Sequence, residues 1–289
     1  MAVQWLKGKD LSDRLRAEAG ARAGRFSTVF RRAPVLASLL VGDDAASIAY
    51  QRSKGAAAAR VGIEYRAERL DAGVGTDAAV AAVQRLCADE RVDAILVEMP
   101  LPRGCDEAAV RAALDPARDV DAIAPDSLGR LAAGLPGPLP ATPRAVLAML
   151  RDAGIPLAGA HAVVVGRSNT VGLPAAQLLL QANATVTVCH SRTRDLGSFT
   201  RQADVLVVAV GKPALVGADD VRPGAVVIDV GTNWVEDAAG GRLVGDVDTD
   251  AVASVAGWLT PVPGGVGLVT TALILLSTVE LAERRAEST

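Results

Sequence analysis

Cysteine is scarce and unpatterned. Cys87, Cys105 and Cys189 are odd in number and show no C-x-x-C spacing, which excludes a disulfide framework and gives zinc no ligand set. A reducing cytoplasm suits such a chain, and no metal site is expected. Aromatic residues make up only 3% of the sequence, so its cores must be built from small aliphatic side chains. Neither sign of charge dominates: 30 Lys and Arg stand against 33 Asp and Glu, a net charge of -3. Without a basic excess there is no polyelectrolyte face for nucleic acid. Long apolar runs are missing too. The stretch Val269 to Val279 is interrupted by Thr270, Thr271, Ser277 and Thr278 and ends at Glu280, short of the ~20 residues a membrane span needs. It is expected to be a buried terminal helix, with no membrane partner. The opening Met1 to Lys7 mixes polar and apolar residues and lacks the apolar segment of an export signal.

What is present is ample apolar material, 50% of 289 residues, enough for two α/β domains. Strand-like runs at Val35–Val41, 62–70 and 93–99 alternate with helical segments near 46–61, 77–89 and 106–114. Such alternation predicts parallel strands covered by helices. Pro and Gly crowd residues 134–143, which opposes regular structure and marks a boundary. A helix at 144–153 then leads into a second alternating series, with strands at 161–165, 185–189, 205–210 and 225–230. This spacing suits a doubly wound nucleotide-binding domain.

The chemistry-bearing turn follows Ala162-Val163-Val164-Val165. Gly166-Arg167-Ser168-Asn169-Thr170-Val171-Gly172-Leu173-Pro174 leads into a helical run at 175–181. Gly166 suits a tight turn, Gly172 a close approach of helix to sheet, and free amides at a helix start can hold phosphate. The spacing is not G-x-G-x-x-G, and an ordinary βα turn reads equally well in isolation. The next strand ends in His190-Ser191-Arg192-Thr193, where an NAD site would place an acid on the ribose. With Arg167 and Arg192 available, a 2′-phosphate is the better fit, hence NADP.

These blocks, with Val41-Gly42-Asp43-Asp44 before Ser47, Tyr50 and Lys54, resemble the methylenetetrahydrofolate dehydrogenase/cyclohydrolase family. Ile95-Leu96-Val97-Glu98-Met99-Pro100-Leu101-Pro102, Asp119-Val120-Asp121, Val208-Ala209-Val210-Gly211-Lys212-Pro213, Ile228-Asp229-Val230-Gly231 and Thr260-Pro261-Val262-Pro263-Gly264-Gly265-Val266-Gly267 follow in family order. The resemblance implies an N-terminal three-layer α/β catalytic domain, residues 1–139, joined by a C-terminal helix, 268–289. It also implies a Rossmann-like NADP-binding domain, 140–267, a cleft between the two, and a homodimer. The implied activity is oxidation of 5,10-methylenetetrahydrofolate to the methenyl form, followed by hydrolysis to 10-formyltetrahydrofolate.

Tyr50 and Lys54 are four residues apart, so on a helix they share a face. Taken without the resemblance, they are a surface Tyr over a Lys stem. The resemblance implies that Lys54 is catalytic, that Tyr50 walls the folate ring, and that Asp121 pairs with the pterin nitrogens. Pro263, Gly264 and Gly265 would approach the substrate. Gly166, Arg167, Ser168, His190, Ser191, Arg192, Val210, Gly211 and Thr232 would hold the cofactor. Ser47 would position substrate or cap a helix, and Asp229 would line the cofactor cleft or cap a helix.

Glu98 stands where the family usually has glutamine. A carboxylate beside Lys54 would hold it as an ion pair and handicap the proton transfers of hydrolysis, or take a proton from water itself. The hydride step, which depends on alignment, need not suffer. Ala141, Thr232, Leu268-Val269 and Ala122 depart from the usual pattern as well, Ala122 from glycine. Two alternative functions follow: reduction of another cyclic imine with NADPH, and a non-catalytic folate- or nucleotide-binding regulator.

Overall fold

The computed structural model describes residues 2–236 and 240–287. In chain order the elements are β1 (Gln4–Trp5), α1 (Lys9–Phe30), β2 (Val35–Val41), α2 (Ala45–Arg60), β3 (Glu64–Leu70), α3 (Thr76–Ala88), β4 (Ala94–Val97), α4 (Glu107–Ala112), α5 (Pro125–Ala132), α6 (Ala141–Asp152), β5 (His161–Val165), α7 (Gly172–Gln181), β6 (Thr185–Cys189), α8 (Leu196–Thr200), β7 (Val205–Val208), β8 (Val226–Asp229), β9 (Asn233–Val235), β10 (Arg242–Val244), α9 (Thr249–Val252), β11 (Trp258–Leu259) and α10 (Val266–Glu287). The chain divides into two compact units, residues 13–141 with 271–289, and residues 1–12 with 142–270.

In the unit of residues 13–141 and 271–289, β2 lies between β3 and β4 in a parallel sheet. Every residue of β2 and β4 is buried, as expected of strands covered on both faces. The edge strand β3 mixes charged and apolar residues and is half exposed. Its core gathers Val35, Leu39, Val83, Ile95, Val97 and Ile123 among others. The chain visits β3 on one side of β2 and then crosses to β4 on the other. The order of strands therefore reverses between β2 and β4, and ligands of open α/β sheets bind beyond the carboxyl ends at such a point.

The other unit has a six-stranded parallel sheet in the order β1-β11-β8-β7-β5-β6. Val163, Leu206, Val208, Val227 and Leu259 centre its core. Here the order reverses between β5 and β7. The first twelve residues, expected with the N-terminal domain, belong to this unit because β1 pairs with β11 at the sheet edge. An antiparallel ribbon, β9 with β10, extends from it.

The terminal helix is longer than its uninterrupted apolar run. The hydroxyls of Thr270 and Thr278 donate to Val266 O (3.1 Å) and Ile274 O (2.8 Å), so these polar residues are accommodated within the helix. At 22 residues α10 extends beyond the stretch Val269 to Val279 and, taken whole, is long and apolar enough to cross a membrane by length and composition. Most of it is buried inside the protein, which is also the behaviour of a core helix.

Candidate active site

The lysine site is built on α2. Asp44 caps this helix, accepting from Ser47 N (2.8 Å) and Ser47 Oγ (2.7 Å), so Ser47 is occupied in a cap. Two turns on, Lys54 points inward and is 3% exposed. Its ammonium lies 4.2 Å from the centroid of the Tyr50 ring, a cation–π contact that the four-residue spacing on one helix allows. Nζ donates to Glu98 Oε2 at 2.5 Å.

Glu98 is placed by the sheet. It follows β4 directly, and its N–H donates to Leu39 O of β2 at 2.9 Å. Its Oε1 accepts from Ser38 Oγ at 2.8 Å. Ser38 Oγ in turn accepts from Gln51 Nε2 (3.1 Å), so donors run from Gln51 through Ser38 to Glu98, where the donation from Lys54 meets them. Nearby, burial pushes the Tyr65 phenol up to about 12, with a smaller rise from the charge of Glu98.

Asp121 joins this cluster from the segment after the Ile95–Asp119 bridge. It accepts from Ala141 N at 2.8 Å. Burial pushes its carboxyl up to about 7; Asp119 and Glu98 also raise it, while Lys54 lowers it. The charges of Lys54 and Glu98 thus reach Asp121. Asp119 has a different task. Fully buried, it accepts from Ile123 N (3.1 Å), Ala124 N (2.8 Å) and Ser127 Oγ (2.8 Å) at the start of α5, and burial holds its carboxyl above the usual range. Directly after Asp121, Ala122 takes φ 49°, a left-handed conformation that suits glycine better.

The glycine turn sits at the reversal point of the other sheet. A Cβ on Gly166 would stand 2.2 Å from Ala209 O, and one on Gly172 2.3 Å from Gly166 O, so backbone fills the space a side chain would need. Ser168 Oγ accepts from Val171 N (3.1 Å) and Gly172 N (3.3 Å) at the entry to α7. At the end of β6, His190 Nδ1 accepts from Arg192 N (3.1 Å) and His190 N donates to Thr193 Oγ1 (2.9 Å). Ser191, Arg192 and Arg167 are exposed.

Residues 6–121 match the catalytic domain of the tetrahydrofolate dehydrogenase/cyclohydrolase family, and residues 140–286 match its NAD(P)-binding domain. The chain is 48% identical over 283 residues to the bifunctional protein FolD 1 of Rubrobacter xylanophilus, covering 98% of each. It superimposes with TM-score 0.92 on the bifunctional FolD methylenetetrahydrofolate dehydrogenase/cyclohydrolase of Campylobacter jejuni, at 38% identity, covering 98% of this chain and 100% of that one. With the Trypanosoma brucei enzyme, solved with NADP cofactor and inhibitor, the TM-score is 0.94 at 35% identity, covering 99% of each chain. The chain belongs to the tetrahydrofolate dehydrogenase/cyclohydrolase family.

Within this family member Lys54, Tyr50, Glu98 and Asp121 share one unit. Gly166, Arg167, Ser168, His190, Ser191, Arg192, Val210, Gly211 and Thr232 lie in the other, with Pro263, Gly264 and Gly265. Gly264 has φ 107° and its carbonyl accepts from Gly8 N at 2.8 Å. Asp229 is 1% exposed and accepts three backbone amides, so it is neither a cleft-lining group nor a helix cap. Ser38 and Gln51 were not legible as site residues: a serine inside an apolar strand and a glutamine one position after Tyr50 carry no motif.

Proposed function

We propose that the chain oxidises 5,10-methylenetetrahydrofolate to 5,10-methenyltetrahydrofolate with NADP as hydride acceptor, and hydrolyses the product to 10-formyltetrahydrofolate at a reduced rate. The observation that carries this reading is the buried ammonium of Lys54, roofed by Tyr50 and paired with Glu98.

The residues of the glycine turn fit a dinucleotide. Gly166 and Gly172 let backbone pack tightly where a Cβ would clash, the close turn a dinucleotide site needs, and β6 ends without an acid, in a segment carrying Arg192. Gly166 and Ser168 would lie along the pyrophosphate at the turn that enters α7. Arg167 and Arg192 would hold the 2′-phosphate through paired donors, with His190, Ser191, Val210, Gly211 and Thr232 around the rest. Bound NADP supplies the hydride-accepting ring.

Tyr50 orients the folate ring by stacking, and Asp121 fixes the pterin edge through its free carboxyl oxygen. Lys54 holds positive charge at its Nζ beside the reacting centre and moves protons during water attack. Glu98 ties that nitrogen down, which leaves alignment for hydride transfer intact and slows the proton transfers of hydrolysis. Free Cys87, Cys105 and Cys189 accord with a cytoplasmic location, and a homodimer is the assembly we expect on gel filtration with light scattering.

Following reduced nicotinamide and methenyl absorbance together, with NADP or NAD, tests the reading. We expect turnover with a kcat/KM favouring NADP by at least tenfold and visible accumulation of the methenyl species. Preference for NAD, or no turnover with either, contradicts it.

A further inference from the structure

We infer that Asp246, seated on Asp229, is a positioning residue for the dinucleotide: it draws the loop after β7 inward and fixes the peptides that flank the glycine turn. This rests on the NADP reading above and extends it to Asp246, a carboxylate outside every block read from the sequence.

Asp229 ends β8 and is 1% exposed; Asp246 follows β10 and is 0% exposed. Asp229 accepts from Gly231 N (2.9 Å), Asp246 N (2.9 Å) and Val247 N (3.0 Å). It thereby fixes the backbone that carries Asp246. Asp246 Oδ2 then accepts from Val210 N (2.6 Å) and Gly211 N (3.0 Å), while Oδ1 accepts from Lys212 N (2.9 Å) and Asn233 Nδ2 (2.9 Å). Space is closed around the pair: a Cβ on Gly245 would stand 1.7 Å from Asp229 Oδ2, and one on Gly231 2.4 Å from Asp246 Cγ.

The bonded amides are not part of a strand. Val210 is half-buried, and Gly211 and Lys212 are exposed. They follow Ala209, whose N–H donates to Val165 O (2.8 Å) and whose carbonyl occupies the place of a Gly166 Cβ. The loop therefore borders the glycine turn at the β5–β7 reversal, where a dinucleotide lies. Three consecutive N–H groups converging on one buried carboxylate set the orientation of three peptide planes. Charge-assisted bonds are the stronger kind, and here they compensate a charge removed from water.

Both oxygens of Asp246 are occupied by donors, so an amide in its place must turn an NH2 against either Val210 and Gly211 or Lys212 and Asn233. We therefore expect Asp246→Asn to raise the calorimetric Kd for NADP at least tenfold, with the KM for methylenetetrahydrofolate changed less than twofold. A purely structural role would lower the melting temperature and kcat together and leave the NADP Kd alone; that result overturns the inference. In the unaltered protein, amide exchange followed by NMR supplies a second measurement that needs no variant. Slow exchange at Val210, Gly211 and Lys212 supports the carboxylate clamp, and exchange at the rate of open loops overturns it. Failure of the unaltered protein to bind NADP would overturn the cofactor reading itself, a result distinct from equal binding by the two forms, which overturns the clamp alone.

Discussion

Replacing Glu98 with glutamine isolates the charge on Lys54. The ion pair is short, Nζ to Oε2 at 2.5 Å, and little exposed, 4% for the lysine and 14% for the glutamate side chain, so solvent screening does little to weaken it. Glutamine is nearly isosteric and its carbonyl still accepts from Ser38 or Lys54, but the charge is gone. A hydrogen bond to a charged group contributes about 1.5–3 kcal/mol and a neutral one about 0.5–1.5 kcal/mol; the difference, on the order of 1.4 kcal/mol, is about tenfold in a rate. Glu98→Gln should therefore raise the hydrolysis rate about tenfold. Dehydrogenation, which depends on alignment, should change less than about threefold. Decay of methenyl absorbance, corrected for spontaneous hydrolysis, reads the first rate and reduced nicotinamide the second. Unchanged or slower hydrolysis, or an equal rise in both rates, would refute the reasoning.

Lys54→Met should lower hydrolysis by about 10²-fold or more, the scale of general acid–base contributions, and an unaffected rate would show that the lysine moves no proton. Asp121→Ala should weaken folate binding more than NADP binding in parallel titrations; equal losses would remove its assigned role. The raised carboxyl of Asp121, pushed up to about 7 by burial, makes the folded state favour the acid form, so its contribution to stability is complete below about pH 4 and declines as pH rises toward 7. Asp121→Asn should abolish that decline in pH-dependent denaturation curves, and parallel curves would contradict it. At Ala122, φ 49° costs roughly 1 kcal/mol relative to glycine, so Ala122→Gly should raise the denaturation midpoint; a lower midpoint would count against the strain.

Much of this was legible before coordinates, for physical reasons that differ by element. The strands β2, β4, β5 and β7 are almost wholly buried and so read as predominantly apolar runs. By contrast α1 presents mainly alanines to its core, Ala19 and Ala23 with Phe26, and such a face gives little contrast against its charged residues. The runs expected at 205–210 and 225–230 stop earlier, at Val208 and Asp229; just beyond, the amides of Val210 and Gly231 donate to the buried carboxylates of Asp246 and Asp229. The two-residue β1 and β11 owe their existence to each other and to β8, a pairing that no local pattern signals. The Tyr50–Lys54 face followed from helical spacing alone. The Ser38–Gln51 support did not, since it needs β2 and α2 in register.

The central step is the transfer of hydride from the folate methylene carbon to NADP. Methylenetetrahydrofolate dideuterated at that carbon should deliver one deuterium to each reduced NADP, read by mass spectrometry of the nicotinamide. Reduced cofactor without the label, or labelled folate left intact at high enzyme concentration, would contradict it.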